Sequence, residues 1–291
     1  MSRKENIGPR IGAHKSIAKG IDKAIDRALK STCECLQIFT RPPRRWAAGK
    51  MSLSEEVVEK FIQKSQRAGY TDTSIHMPYL PNLASPETDL YNKSIDVLKE
   101  EILKSTLLQV PYVISHLGSP KGNSRQFAVK RVAKALNQAM ETLKSPTMIL
   151  LENSTAKKKK WGNYFEDISE IISLVDKQQS VGICFDTAHA FSSGYDISSS
   201  EGLHEVFDQI ESLTGTQKVK VMHLNDSKAP LDSGIDHHEH IGKGSIGIEC
   251  FRELMQSPRF KSLTMILETP IDENINDKTN LDLLRTLRVK V

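Results

Sequence analysis

Short runs of apolar residues alternate along the chain with longer segments of helical period. Eight of these runs are predicted to be strands: Arg10–His14, Cys35–Phe39, Thr73–His76, Tyr112–His116, Met148–Asn153, Val181–Asp186, Val219–Asn225 and Met265–Thr269. The ends of successive runs lie roughly 25 to 45 residues apart, and a strand, helix and strand unit needs about 30 residues. The pattern therefore predicts βα units stacked around a parallel sheet.

Two of the intervening segments carry clear helix signals. The segment Ser52–Glu55 matches a capping box, and Gly69 follows the apolar stripe as a stop signal. Between the fourth and fifth strands, apolar residues recur every three or four positions from Val132 onwards. This second helix is predicted to begin near Asn123 or Ser124, because both residue types favour the N-cap position.

Eight strands and about as many helices predict an α/β fold of the (β/α)8 type, a TIM barrel, as a single domain over residues 1–291. A doubly wound open sheet is the competing architecture. Such a sheet more often has a glycine-rich phosphate loop after its first strand. The turn from Gly12 to Gly20 lacks the G-x-G-x-x-G spacing, which favours the barrel.

Composition narrows the class of protein. The chain has 291 residues, of which 38% are hydrophobic and 26% charged, and its net charge of +4 is compatible with a polyanionic partner. The apolar runs are shorter than the about 20 residues of a membrane-spanning helix, and the N-terminus does not resemble a secretory signal. The four cysteines show neither a C-x-x-C pair nor a disulfide-dense spacing, which indicates a reducing compartment. We expect an intracellular protein without membrane association, in the nucleus if the source is eukaryotic and otherwise in the cytoplasm.

The ends of the predicted strands carry a set of metal-binding residue types. In TIM barrels the active site lies at the carboxyl ends of the strands. Six consecutive strands end with such a residue: His76, His116, Glu152, Asp186, His223 and Glu268. The loops beyond the sixth and seventh strands add His189, Asp236 and His238. Carboxylates crowded at one rim would be costly unless cations neutralised them, so these residues predict a metal centre.

The donor types and their number indicate which metals would bind. Imidazoles mixed with carboxylates, without thiolate pairs, favour zinc, manganese or iron over magnesium or calcium. At about three protein ligands per catalytic zinc, nine candidates would hold up to three ions. Clustered divalent ions suit phosphodiester hydrolysis, and the chain has neither a G-x-S-x-G elbow nor a phosphate-binding P-loop.

Several ordered segments resemble the endonuclease IV family of apurinic/apyrimidinic DNA repair enzymes. They are residues 181–196, 222–228 and 236–244, with Leu151–Asn153 and Leu267–Pro270 in the expected order. The chain departs from the family pattern at His237, at Leu117 and in the segment 154–160. The resemblance implies a TIM barrel with a trinuclear zinc centre at the carboxyl rim.

The same resemblance assigns the ligands. His76 and His116 would hold the first zinc, Glu152 would bridge it to a second zinc bound by Asp186, His223 and Glu268, and His189, Asp236 and His238 would hold the third. The catalytic residues would be Glu152, Asp186 and Glu268. The implied reaction cleaves duplex DNA 5′ to an abasic site and leaves a 3′-hydroxyl, with an additional activity on blocked 3′ ends, and we expect a monomer.

Two loops on the ligand side have the composition of a DNA-binding surface. One is Arg41–Trp46 and the other continues from the third strand to Leu80. Arginines contact phosphates, and apolar side chains can wedge into a base stack. The resemblance places the DNA-inserting residues at Arg44, Tyr79 and Leu80, whereas burial statistics alone also allow Tyr79 and Leu80 to be loop packing. A basic face would be formed by Arg41, Arg44, Arg45, Lys228, Lys243 and the segment Lys157–Lys160.

Two other functions compete with the nuclease. A sugar isomerase or epimerase would also place histidines and carboxylates at this rim, but it would need fewer ligands than the nine present. A non-catalytic DNA-binding barrel with a structural zinc is the second alternative. Structural zinc usually has a closed Cys/His site, whereas these candidates are rich in carboxylates and include no cysteine.

Overall fold

The computed structural model describes residues 8–46, 53–141, 146–155, 161–162 and 164–289. Eight parallel strands close into a barrel in the order β1-β10-β7-β6-β5-β4-β3-β2. Their bounds are β1 Arg10–Lys15, β2 Cys35–Ile38, β3 Ser74–His76, β4 Tyr112–His116, β5 Met148–Glu152, β6 Val181–Asp186, β7 Val219–Leu224 and β10 Thr264–Leu267. Two short antiparallel strands, β8 Asp226–Ser227 and β9 His238–Glu239, form a hairpin beyond β7. The predicted TIM barrel is confirmed.

Helices connect the strands and cover the outside of the barrel. They are α1 Asp22–Lys30, α2 Glu55–Ala68, α3 Thr88–Leu107, α4 Arg125–Glu141, α5 Phe165–Ser173, α6 Thr187–Ser192, α7 Ser200–Leu213, α8 Ile248–Gln256 and α9 Asp277–Arg288. Their apolar faces and the outward faces of the strands form one large buried core. None of the helices within the described ranges combines the length and the apolar character needed to cross a membrane.

The predicted helix starts were partly wrong. Helix α2 begins at Glu55 with Ser54, in extended conformation, as its N-cap, so the capping box assigned to Ser52–Glu55 does not set its start. Ser52 itself lies outside the described residues. Gly69 ends this helix in the left-handed conformation, as predicted. The prediction for α4 is confirmed, because Ser124 Oγ accepts a hydrogen bond from Phe127 N at 3.1 Å.

Several predicted strands extended one or two residues too far. Strand β5 ends at Glu152, β7 at Leu224 and β10 at Leu267. At these ends, side-chain amides replace the backbone ladder. Asn225 Oδ1 accepts a hydrogen bond from Glu268 N at 3.0 Å, and Asn153 Oδ1 accepts one from Asp186 N at 2.8 Å.

The interior of the barrel is filled by a separate apolar layer. It consists of Cys35, Ile114, Leu150, Cys184, Val221 and Ile266, each fully buried. Successive side chains of a strand point to opposite faces, so a residue two positions further along also points inward. This layer is therefore an apolar floor, which lies beneath the side chains at the carboxyl ends of the strands.

Candidate metal centre

The period of the strands places the predicted ligands above the apolar floor. Two residues after each of five floor residues come His116, Glu152, Asp186, His223 and Glu268. His76 ends β3 at the same rim. The structure thus brings together all nine predicted ligands, which separate into three groups joined by shared carboxylates.

The first group contains His76, His116 and Glu152. Oε2 of Glu152 lies 3.1 Å from His76 Nε2 and 3.5 Å from His116 Nδ1. One ligand atom from each of the three residues lies within 4.8 Å of the others. This spacing suits a single divalent cation held between them.

The second group is centred on His223, which is fully buried. Its Nδ1 lies 3.2 Å from Glu152 Oε1, 3.7 Å from Asp186 Oδ2 and 3.5 Å from Glu268 Oε2. Glu152 therefore directs one oxygen at the first group and the other at the second. This is the arrangement that a bridging carboxylate requires.

The third group depends on a short helix and on the hairpin. Asp186 caps α6 by accepting a hydrogen bond from His189 N at 2.8 Å, which places the His189 ring at the rim. Strand β9 brings His238 to the same point. Oδ1 of Asp236 lies 3.3 Å from His189 Nε2 and 3.2 Å from His238 Nε2.

The imidazoles are oriented as they are in metal sites. His76 Nδ1 lies 2.6 Å from the carbonyl oxygen of Met77, and His189 Nδ1 lies 2.9 Å from that of Asn153. Donation of this outer N–H leaves the other ring nitrogen free for a metal. His238 Nε2 is buried without a hydrogen bond of acceptable geometry, although it faces carboxylates. These ring nitrogens and carboxylate oxygens lie close enough together to bind divalent cations between them.

Opposite charges dominate the electrostatics of the centre. Burial would raise the pKa of Glu152, yet the imidazoles of His116 and His223 hold it well below its usual range. Burial likewise opposes protonation of His189, but nearby carboxylates raise the pKa of its imidazole well above the ordinary value. Glu268 has its pKa lowered to about 2 despite burial, chiefly by His223. Metal ions must displace the imidazole protons, so metal binding releases protons.

Cysteine takes no part in these groups within the described residues. Cys184 lies in the apolar floor, and burial raises the pKa of its thiol to about 12. The donor set is therefore imidazole and carboxylate, as predicted.

Sequence reasoning missed two residues of the centre, the half-buried His14 and the fully buried Gln37. His14 Nδ1 lies 3.8 Å from Glu268 Oε1, and burial lowers the pKa of His14 to about 4. Gln37 contacts both Glu268 and His223. The strand-end rule used for strands three to eight would have found His14 in the first predicted strand, but not Gln37, because Phe39 closes the second predicted strand. Gln37 stands two residues after Cys35 of the apolar floor, and His14 closed the first predicted strand.

The proposed DNA-inserting residues lie beside this centre. Arg44 and Tyr79 are exposed, Tyr79 by 55%, and Leu80 is half-buried. The Tyr79 ring lies edge-on to Phe39 at 5.5 Å between centroids. Tyr79 N donates to the Pro43 carbonyl oxygen at 2.9 Å, which joins the two loops. Tyr79 thus contacts Phe39 while more than half of its surface stays exposed to solvent.

The predicted basic face is wrong in one member. Arg41 is buried, because its Nε donates to Glu101 at 2.7 Å and its terminal nitrogens contact Glu100 and the Trp46 carbonyl oxygen. Its charge is therefore neutralised by α3. The exposed cations of the face are Arg44, Arg45, Lys228 and Lys243. The segment Lys157–Lys160 lies outside the described residues.

Two departures from the family pattern, Leu117 and His237, leave the ligand groups intact, and residues 156–160 of the third lie outside the described residues. Leu117 is fully buried in the main core. His237 is exposed, and its carbonyl oxygen accepts a hydrogen bond from Lys228 N at 2.9 Å. A closed parallel barrel whose carboxyl rim carries clustered imidazoles and carboxylates defines a TIM barrel with a candidate metal centre at its active-site end.

Comparison with known proteins specifies the class further. The model of the xylose isomerase-like TIM barrel family matches residues 25–288. A probable endonuclease 4 of Methanoculleus marisnigri is 40% identical over 278 residues, which cover 95% of this chain and 98% of the relative. The crystal structure of endonuclease IV from Thermus thermophilus is 34% identical, with a TM-score of 0.83, and covers 96% of this chain and 98% of that one. The chain belongs to the endonuclease IV family and is a DNA-hydrolysing enzyme.

Sugar-converting barrels share only the architecture. A D-tagatose 3-epimerase-like protein has a TM-score of 0.70 over 96% of each chain, but only 18% of its residues are identical. The fold alone therefore does not separate an isomerase from a nuclease. The sequence similarity does, and it favours the nuclease.

Proposed function

We propose that this chain is a zinc-dependent apurinic/apyrimidinic endonuclease of base excision repair. It hydrolyses the phosphodiester 5′ to an abasic site in duplex DNA, leaves a 3′-hydroxyl, and also cleans blocked 3′ ends. It acts as a monomeric single-domain barrel with three zinc ions. The observation that carries the proposal is the position of Glu152, whose two oxygens face separate groups of imidazoles.

Zinc is one of the metals that this donor set favours, and the family resemblance selects it from among them. The nine ligands are His76, His116, Glu152, Asp186, His189, His223, Asp236, His238 and Glu268. Their mixture of imidazole nitrogens and carboxylate oxygens, without sulfur, is typical of hydrolytic zinc sites. Membership of the endonuclease IV family supports the same assignment.

Metal ions bound by these residues would supply an activated water and neutralise charge on the phosphate. The chain's own residues arrange that chemistry. Glu152 holds two groups of donors at a fixed separation, while Asp186 and Glu268 close the second group from either side. The apolar floor excludes water from below, so hydrolysis is confined to the rim.

The loops beside the centre supply substrate recognition. Arg44, Tyr79 and Leu80 would insert into the base stack where the abasic nucleotide leaves it, and exposed arginines of the same face would contact the phosphate backbone. An abasic nucleotide has no base to unstack, so extruding it costs less than extruding an intact one. This difference would give the enzyme its preference for damaged duplex.

Incubation with a duplex that contains one abasic site tests the proposal. We expect a single nick on its 5′ side, with a 3′-hydroxyl that a polymerase extends, and gradual loss of activity in a strong chelator. The intact duplex is the control, and a 3′-phosphate-terminated primer tests the second activity. Absence of nicking by zinc-loaded protein, together with turnover of a ketose, would replace the nuclease with an epimerase.

A further inference from the structure

Gln37 is a fully buried amide in the layer directly above the apolar floor. It makes four polar contacts, the number that one amide can satisfy. Its Oε1 lies 2.9 Å from His223 Nε2 and 3.1 Å from Ser74 Oγ. Its Nε2 lies 2.6 Å from Glu268 Oε1 and 3.1 Å from His14 Nδ1.

The contact with Glu268 fixes which way the amide points. An ionised carboxylate only accepts hydrogen bonds, so the Gln37 atom facing it must be the NH₂ group. Oε1 of Gln37 then faces His223 Nε2, and that nitrogen must carry a proton. The remaining ring nitrogen, Nδ1, is the one that faces Glu152, Asp186 and Glu268.

The same amide also gives the two oxygens of Glu268 different partners. Oε1 accepts the hydrogen bond from Gln37, which leaves Oε2 directed at His223 Nδ1 at 3.5 Å. The second NH of Gln37 points to His14 Nδ1, so His14 is an acceptor at that nitrogen.

We propose that Gln37 is a positioning residue for the second metal position, where it selects Nδ1 of His223 and Oε2 of Glu268 as ligand atoms. The proposal rests on the proposed function, because it concerns the zinc centre assigned there. Gln37 touches neither the first nor the third group in any contact that the described residues show. Its effect should therefore be confined to one ion of the three.

Substitution Q37M tests this role, because methionine has a similar length but no hydrogen-bonding group. We expect one zinc to bind roughly 10–100-fold more weakly, as is typical when a group behind a ligand is lost, and the other two to be retained. Competition with a chromogenic chelator, followed by metal analysis, measures this without DNA. Ser74→Ala is the matched control, since Ser74 contacts the same amide oxygen but no predicted ligand.

Three results would overturn the proposal. They are unchanged affinity for all three zinc ions in Q37M, simultaneous loss of all three, and an equally large effect of Ser74→Ala. Nitrogen-15 NMR of zinc-loaded wild-type protein gives an independent test, in which His223 must carry its proton on Nε2. A wild-type protein that binds three zinc ions without nicking abasic DNA would refute the proposed function and leave the role of Gln37 intact.

Discussion

Glu152 is surrounded by imidazoles from all three ligand groups. It is almost completely buried, and its two oxygens lie within 3.5 Å of four different imidazoles. A buried carboxylate of this kind is stable only with cationic partners, whether imidazolium groups or metal ions. Its negative charge therefore interacts with imidazoles of all three ligand groups.

Glu152→Gln replaces one of these oxygens with an NH₂ group, which cannot bind a metal. We expect incision of abasic duplex to fall by more than the roughly 10–100-fold typical of groups that lie behind ligands. Binding of the duplex, measured by gel shift, should persist because the DNA-facing loops are unaltered. Near-normal turnover would remove Glu152 from the mechanism.

Tyr79 offers a second test at the level of one side chain. Tyr79→Ala should reduce the preference for abasic over intact duplex by about tenfold, since stacking of a base on an aromatic ring contributes about 1–3 kcal/mol. Competitive binding of the two duplexes measures the ratio. Tyr79→Phe keeps the ring and should behave like wild type, whereas an unchanged ratio in Tyr79→Ala would indicate loop packing.

At the scale of elements, α3 holds the loop that follows β2. Glu101 of α3 is fully buried and accepts hydrogen bonds from Arg41 and Lys104 as well as from Thr40. Arg41 in turn donates to the Trp46 carbonyl oxygen at 2.9 Å, which closes the loop that carries Arg44. A buried ion network thus positions an exposed loop.

Glu101→Gln leaves two cations with a neutral partner in this network. We expect the free energy of unfolding to fall by about 3 kcal/mol, because a buried charge that loses its partner costs about 3–5 kcal/mol. Urea denaturation measures it. Glu100→Gln is the matched control, since the Glu100 side chain is 54% exposed and its loss should cost less than about 1 kcal/mol. Equal effects of the two substitutions would contradict the assignment.

At the scale of the whole molecule, closure of the barrel brings together ligands from six strands, a short helix and a hairpin. Cations bound at their shared positions would hold these elements together. A ligand that binds only the folded state stabilises it by mass action, so metal binding and folding are coupled.

Removal of the metal should therefore destabilise the protein. We expect about three zinc ions per chain in purified protein, from the ligand arithmetic of about three per ion. Prolonged chelation should lower Tm, and added zinc should restore it, with about 2.7 kcal/mol gained per site at a free zinc concentration of 100 Kd. Metal analysis and scanning calorimetry measure both quantities. A single ion per chain would favour the isomerase alternative.

The barrel and the residue types at its rim could be predicted from the spacing of the apolar runs and from the residues that close them. The ligands at or next to the ends of β3 to β7 and β10 were found in this way without coordinates. Strand ends and helix starts were less certain. Side-chain amides such as Asn153 and Asn225 replace ladder bonds there, and Ser54 rather than Ser52 caps α2.

Which charged groups face the rim, and which neutralise one another, depends on contacts between segments that are distant along the chain. Arg41 reads as a DNA contact in the sequence, but its partner Glu101 lies on a distant helix, so its burial was invisible. The central place of Gln37 likewise depends on strands β2, β7 and β10 meeting in space. These hydrogen-bond partners meet only when the barrel closes, so they cannot be predicted from the pattern of any single segment.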